Sequence, residues 1–219
     1  MSKRKTVGAG EGPPEAVERD ARPPVEAIRA AAFAQFAERG YPVVTVRDIM
    51  KACGLTQGAL YNHFKSKDEL LHDIIASTQS ELERLCQQAV AGAGADARAQ
   101  LAAFVRVYVM RHCRLRIEAL VANREIGWLD TARVADIRRS RRAIRDIVVT
   151  ILSQGIERGV FDPPRIEGKH DLKAIAMALL DQCTHVSMWY GPGGDLAEEQ
   201  MAKLYTDMAL RVVGARPQD

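Results

Sequence analysis

Two groups of residues have the types and spacing to do chemistry. The first centres on Gln57 and Gly58. A glutamine amide can bond an adenine edge in two places, and a glycine beside it lets the backbone come close to the base. Tyr61, Asn62, His63, Lys65 and Lys67 follow, all able to grip phosphate oxygens. Residues 39–67 hold five Lys/Arg against one acid, so positive charge gathers around this stretch. The second group lies in residues 111–145, where ten arginines stand against four acids. Wound as a helix at about 100° per residue, Val134, Ile137, Ile144, Val148 and Ile151 form one apolar stripe. Arg141 falls inside that stripe, and Arg138 and Arg145 flank it. An unpaired buried guanidinium is costly, so Arg141 needs an anion or a route to water along its stem. Either Glu118, Glu125 or Asp181 on another helix supplies the anion, or the arginines meet a carboxylate or phosphate on a small ligand.

The elements that must position these residues are helices. Pro23-Pro24 opens the first, where missing N–H donors are tolerated. It carries Ile28, Ala32 and Phe36 at i+4 spacing and stops at Gly40. Thr45, with Asp48 three residues on, caps a short second helix that ends at Gly54. A third runs from Thr56 to Phe64, with Ala59, Leu60 and Phe64 facing a core. Ser66-Lys67-Asp68-Glu69 reads as a capping box that opens a long helix to about Val90. Beyond a Gly/Ala loop at 91–95, helical periods cover about 97–128, 131–159, 170–189 and 195–213. No stretch alternates with period two. The expectation is an all-α protein with a flexible arm at 1–22, a three-helix helix-turn-helix DNA-binding domain at 23–70, and a helical ligand-binding and dimerisation domain at 71–219.

The literal residues add to that pattern. Ala37-Glu38-Arg39-Gly40-Tyr41, Thr45-Val46-Arg47-Asp48-Ile49 and the run Gly54–Lys67 resemble the N-terminal signature of the TetR family of transcriptional regulators. The resemblance spans about residues 25–72. It implies a homodimer that binds a pseudo-palindromic DNA operator and leaves it when a small molecule enters the C-terminal domain. By this likeness Thr45, Tyr61, His63 and Lys67 match DNA-backbone contacts, while Thr56, Gln57 and Gly58 match positions near base edges. The proline pair departs from the pattern, since many relatives carry a basic residue there; Arg22 or Lys3-Arg4-Lys5 are the candidates to compensate. Trp189-Tyr190-Gly191-Pro192-Gly193-Gly194 resembles a turn in a TetR subgroup linked to fatty-acid and steroid breakdown, whose effectors are often acyl-CoA thioesters. That implies a ligand role for Trp189 and Tyr190. By the same likeness the last two helices, with stripes Leu172, Ile175, Ala176, Leu179, Cys183, Val186 and Met201, Leu204, Tyr205, Met208, Val212, form the dimer interface; read alone, those stripes equally suit a monomer core.

Composition narrows the classes. With 47% apolar and 27% charged residues, the 219-residue chain is of ordinary globular type, and no apolar run approaches a membrane span. Four widely separated cysteines and no apolar segment behind Lys3-Arg4-Lys5 point to a reduced, cytoplasmic setting. No phosphate loop, H-E-x-x-H or Cys-x-x-Cys occurs, and His63 has no second metal ligand at i+3 or i+4, so neither enzyme, cofactor nor metal is expected. Aromatics at 5% are too sparse for stacking flat cations, and the arginines would repel them, which favours an acidic or lipid-like effector such as an acyl-CoA. The rival reading is a constitutive helix-turn-helix protein with no inducer, in which Arg141 serves only structure.

Overall fold

The computed structural model describes residues 24–191 and 193–216; the expected arm at 1–22, the basic residues within it and Pro192 lie outside them. Among the described residues there are nine α-helices and no strand: α1 (Pro24–Arg39), α2 (Val46–Ala52), α3 (Gln57–Tyr61), α4 (Lys67–Gly92), α5 (Ala97–Arg114), α6 (Arg116–Arg124), α7 (Thr131–Glu157), α8 (Leu172–Trp189) and α9 (Glu198–Val212). A single 3-10 turn, Glu125–Trp128, follows α6.

Caps explain most of the starts. Thr45 and Asp48 form the expected reciprocal capping box on α2. Asp96, Asp130 and Asp171 each accept from a backbone N–H in the first turn of α5, α7 and α8. The expected box at Ser66 forms only by half. Ser66 accepts from the Glu69 N–H, but the Glu69 carboxylate accepts from the N–H of Lys65 rather than of Ser66. The expected helix over 97–128 is broken at Leu115, whose φ −110° and ψ 41° leave the helical region. The third helix is also shorter than Thr56–Phe64, because Asn62 already closes it.

Two apolar cores result. Ile28, Ala32 and Phe36 of α1 are fully buried, as their spacing requires. They pack with Ile49, Leu60 and the first turns of α4, and also with Val121 and Ala122 of α6 and Ile137 of α7. The packing therefore does not break at residue 70. The second core joins Leu82 and Cys86 of α4 to α5, the later turns of α7, α8 and α9. Most of the stripe expected on α8 and α9 belongs to this monomer core: Ala176, Leu179, Cys183, Val186, Met201 and Tyr205 are buried. Met177, Met188, Trp189, Leu204 and Val212 are the large apolar residues those helices expose. At the end of α7 the Phe161 ring sits against Gly155, where an added Cβ would come within 2.0 Å of ring carbon Cδ2. No described helix is long and apolar enough to cross a membrane.

Candidate functional site

The head presents one polar surface. Gly54 turns the chain between α2 and α3 at φ +67°, a left-handed conformation that a side chain would strain. Leu60 then anchors α3 from below, fully buried, while Phe64 closes the same core. Thr56, Gln57, Gly58, Asn62, His63 and Lys65 are left exposed, as is Tyr61 at 60%. Arg47, Lys51 and Lys65 are exposed beside them and form no ion pair among the described residues. Two of the expected contact residues are engaged within the head. The Thr45 hydroxyl and backbone N–H both donate to the Asp48 carboxylate, holding that group below the usual carboxylate range. The Lys67 ammonium donates to the carbonyls of Tyr41 and Val44 at 2.9 and 2.8 Å and lies 4.1 Å from the Tyr41 ring centre. Its burial lowers the Lys67 pKa. Lys67 thus braces the segment before α2 rather than pointing outward.

The second surface is concave. A cavity of about 440 Å³ lies between α4, α5, α6, α7 and α8. Leu82, Ala119, Ala122, Ile144, Met177 and Leu180 give it apolar walls. Arg111, Arg138, Arg141, Arg142 and Arg145 line it as well, against a single acid, Asp181. Arg138 and Arg142 are exposed and mark the solvent side. Arg141 donates to the Ala122 carbonyl at 3.2 Å and the Asn123 side-chain oxygen at 3.0 Å. None of the three expected carboxylates pairs with it. Glu118 pairs with Arg111 at 3.5 Å, the buried Glu125 accepts from Arg124, and Asp181 forms no ion pair among the described residues. Burial holds the Arg141 pKa below its ordinary value, and Arg138 pushes it the same way. Arg145 leans on Asp146, with N···O distances of 2.9 and 2.6 Å. Deeper in, His112 donates from Nδ1 to the Tyr108 carbonyl at 2.7 Å and stacks on the Tyr108 ring, centres 4.4 Å apart. Burial pushes its pKa down to about 4. The Tyr108 and Thr184 hydroxyls share one hydrogen bond at 2.9 Å.

α6 links the cavity to the head. Arg141 holds the carbonyl of Ala122 and the side chain of Asn123. The next residue, Arg124, donates to the carbonyls of Phe36 and Ala37 at the end of α1, at 2.6 and 3.4 Å. A cation on these terminal carbonyls is favoured by the helix dipole.

Residues 28–74 match the family model for bacterial regulatory proteins, tetR family, and residues 94–213 match that for the tetracyclin repressor-like C-terminal domain. The chain belongs to the TetR family. The HTH-type transcriptional repressor KstR2 of Mycobacterium tuberculosis is 32% identical over 196 residues, covering 82% of this chain and 87% of that one. The solved ketosteroid transcriptional regulator KstR2 of the same organism superposes with a TM-score of 0.77 at 25% identity, over 92% of this chain and 100% of that one. AibR, solved with isovaleryl coenzyme A and operator DNA, shares the fold at 23% identity, with a TM-score of 0.75 over 88% and 99% of the two chains.

Within this TetR-family chain, the structure brings Arg138, Arg141 and Arg145 to one cavity, as the helical stripe required. Trp189 and Tyr190 do not join them. Trp189 is 61% exposed at the end of α8, Tyr190 caps that helix, and neither lines the cavity. Sequence reasoning missed Arg111, His112 and Asn123, which reach the cavity from α5 and α6. Arg111 and His112 sit in the arginine-rich segment, but only the crossing of helices turns them toward Arg141.

Proposed function

We propose that this protein is a ligand-responsive transcriptional repressor that binds a pseudo-palindromic operator as a homodimer. An acidic effector with an apolar body, of the acyl-CoA thioester class, enters the cavity and releases it from DNA. One observation carries the reading: Arg141, in an apolar-walled cavity, is hydrogen-bonded only to neutral groups among the described residues. An incoming carboxylate or phosphate would be a better partner than a carbonyl, since charge-assisted bonds are roughly twice as strong as neutral ones. Its capture would pull on Arg141 and, through the bonds to Ala122 and Asn123, on α6, which would shift its hold on α1 through Arg124. A coupling of about 1–3 kcal/mol is enough for regulation. The cavity volume of about 440 Å³ suits the body of a small ligand, with its anionic end at the arginine-lined mouth. Kinship with KstR2, a repressor named for ketosteroid regulation, agrees with a bulky apolar cargo.

In this reading residues 23–70 are the DNA-binding head, with Thr56, Gln57 and Gly58 at base edges, Thr45, Tyr61, Asn62, His63 and Lys65 along the backbone, and Lys67 holding the turn before α2 in place. Residues 71–219 bind the effector and dimerise. The exposed Met177, Met188, Leu204 and Val212 give α8 and α9 an apolar surface for a second copy, which sets two heads one helical turn or a multiple apart. The protein works in the cytoplasm, where its DNA lies, and performs no catalysis. The test is to select genomic fragments with the purified protein and titrate the complexes with CoA thioesters. Release from the selected fragment, with a raised melting midpoint, is expected. If no acidic or lipid-like compound changes melting or DNA affinity, the protein is a constitutive binder and the reading fails.

A further inference from the structure

We infer that His112 selects effectors by accepting a hydrogen bond from a donor, a hydroxyl or amide N–H, on the part of the molecule lodged deep in the cavity. The inference rests on the cavity being the effector site and goes further, by naming a group the effector must carry. His112 is only 6% exposed and lines the cavity from α5. Its Nδ1 lies 2.7 Å from the Tyr108 carbonyl, which can only accept, so Nδ1 carries the hydrogen. A neutral imidazole has one N–H, and the other nitrogen is then an acceptor. Nε2 is therefore a bare lone pair with no partner among the described residues.

The neutral form is the one the surroundings favour. Arg111 stands beside the ring on α5, and Arg138, Arg141, Arg142 and Arg145 approach from α7. The one acid on the cavity wall, Asp181, is exposed on α8, and Glu118 of α6 is taken up by Arg111. A second positive charge on His112 is unwelcome among them.

The cavity thus asks for two opposite things. The arginines are donors only and want an anion. His112 is an acceptor and wants a donor, and the Tyr108 and Thr184 hydroxyls beside it share one hydrogen bond with each other. A plain saturated acyl chain pressed against Nε2 would bury a lone pair with nothing on it, which binding penalises. An effector carrying both an acidic group and a hydrogen-bond donor satisfies both.

Octanoyl-CoA and 3-hydroxyoctanoyl-CoA serve as probes, measured by calorimetry on the full chain as wild type, His112→Asn and His112→Gln. Asparagine can keep the bond to the Tyr108 carbonyl but is too short to place an acceptor where Nε2 stands; glutamine can reach there with its carbonyl. If the donor is on the acyl part, wild type binds the hydroxy compound about tenfold tighter, and His112→Asn abolishes that preference. If it is an amide N–H of the pantetheine arm, both probes bind wild type alike and both weaken about tenfold in His112→Asn, with recovery in His112→Gln. Either result supports the inference and the two tell the sources apart. Unchanged affinities in a folded His112→Asn overturn it and leave the cavity as effector site. Failure of both probes to bind wild type overturns the cavity reading as well.

Discussion

The two basic stretches of this chain, 39–67 and 111–145, meet their surroundings in opposite ways. In the head, Arg47, Lys51 and Lys65 stand exposed to water, where each charge is solvated and adds little to folding. In the second stretch, Arg111, Arg138, Arg141, Arg142 and Arg145 converge on a concave site with apolar walls. A cation there has lost part of its hydration, so an incoming anion regains more than it would at the surface. The difference teaches which partner each stretch suits. Solvated charges spread along a surface match a long polyanion, held through many weak, salt-sensitive contacts. Partly buried arginines around a few hundred cubic ångströms match one small anion, held through few strong ones.

The sharpest way to break this contrast is Arg141→Ala. Its loss should weaken the anionic effector by about 10–100-fold, the worth of hydrogen bonds to a charged group. Operator affinity without effector should stay within a factor of two or so, since Arg141 contacts no head residue. Calorimetry with a CoA thioester and mobility shifts on a selected fragment check the two halves. Loss of folding instead would mean that the bonds to Ala122 and Asn123 are the residue's whole purpose.

His112 sharpens the contrast from the side of protonation. Its pKa is about 4 folded against 6.5 for the free group. Between those values the unfolded chain binds a proton that the folded chain refuses, so stability falls as pH drops through that window and is unaffected above it. Urea unfolding at pH 7.5 and 4.5 should show wild type losing about 2–3 kcal/mol more than His112→Asn.

In the head, Gln57→Ala should lower discrimination at one operator position by about 1–3 kcal/mol while leaving the other positions alone. Competition binding with single-base variants measures it. An unaltered base preference would remove Gln57 from the reading set and leave its exposure unexplained.

The head was more legible in the sequence than the cavity, for a physical reason. Thr45, Asp48, Gly54, Leu60 and Phe64 act within a few residues of one another, through caps, turns and one helical face. Spacing alone shows such relations. The cavity is assembled from five helices far apart in sequence, so Arg141 was visible as a misfit in a stripe, but its neighbours Asn123 and His112 were not. The break at Leu115 has neither glycine nor proline to announce it. Trp189 and Tyr190 were drawn toward the ligand by likeness of a turn, whereas their position at the end of α8 is set by where that helix stops.

The smallest effects separate two lysines that look alike in sequence. Lys65→Ala removes an exposed ammonium but keeps the backbone N–H that donates to Glu69. It should reduce the slope of log affinity against log salt by about one unit, the mark of one lost phosphate contact. Lys67→Ala removes two bonds to the carbonyls of Tyr41 and Val44, which support the turn leading to Thr45. It should lower stability by about 1 kcal/mol per lost bond and leave the slope nearly as it was. Salt titrations and thermal melts on the two variants decide the matter. Equal losses of slope would mean that Lys67 leaves its carbonyls to reach phosphate on the duplex, and the support before α2 would then be a moving part of DNA binding rather than a fixed one.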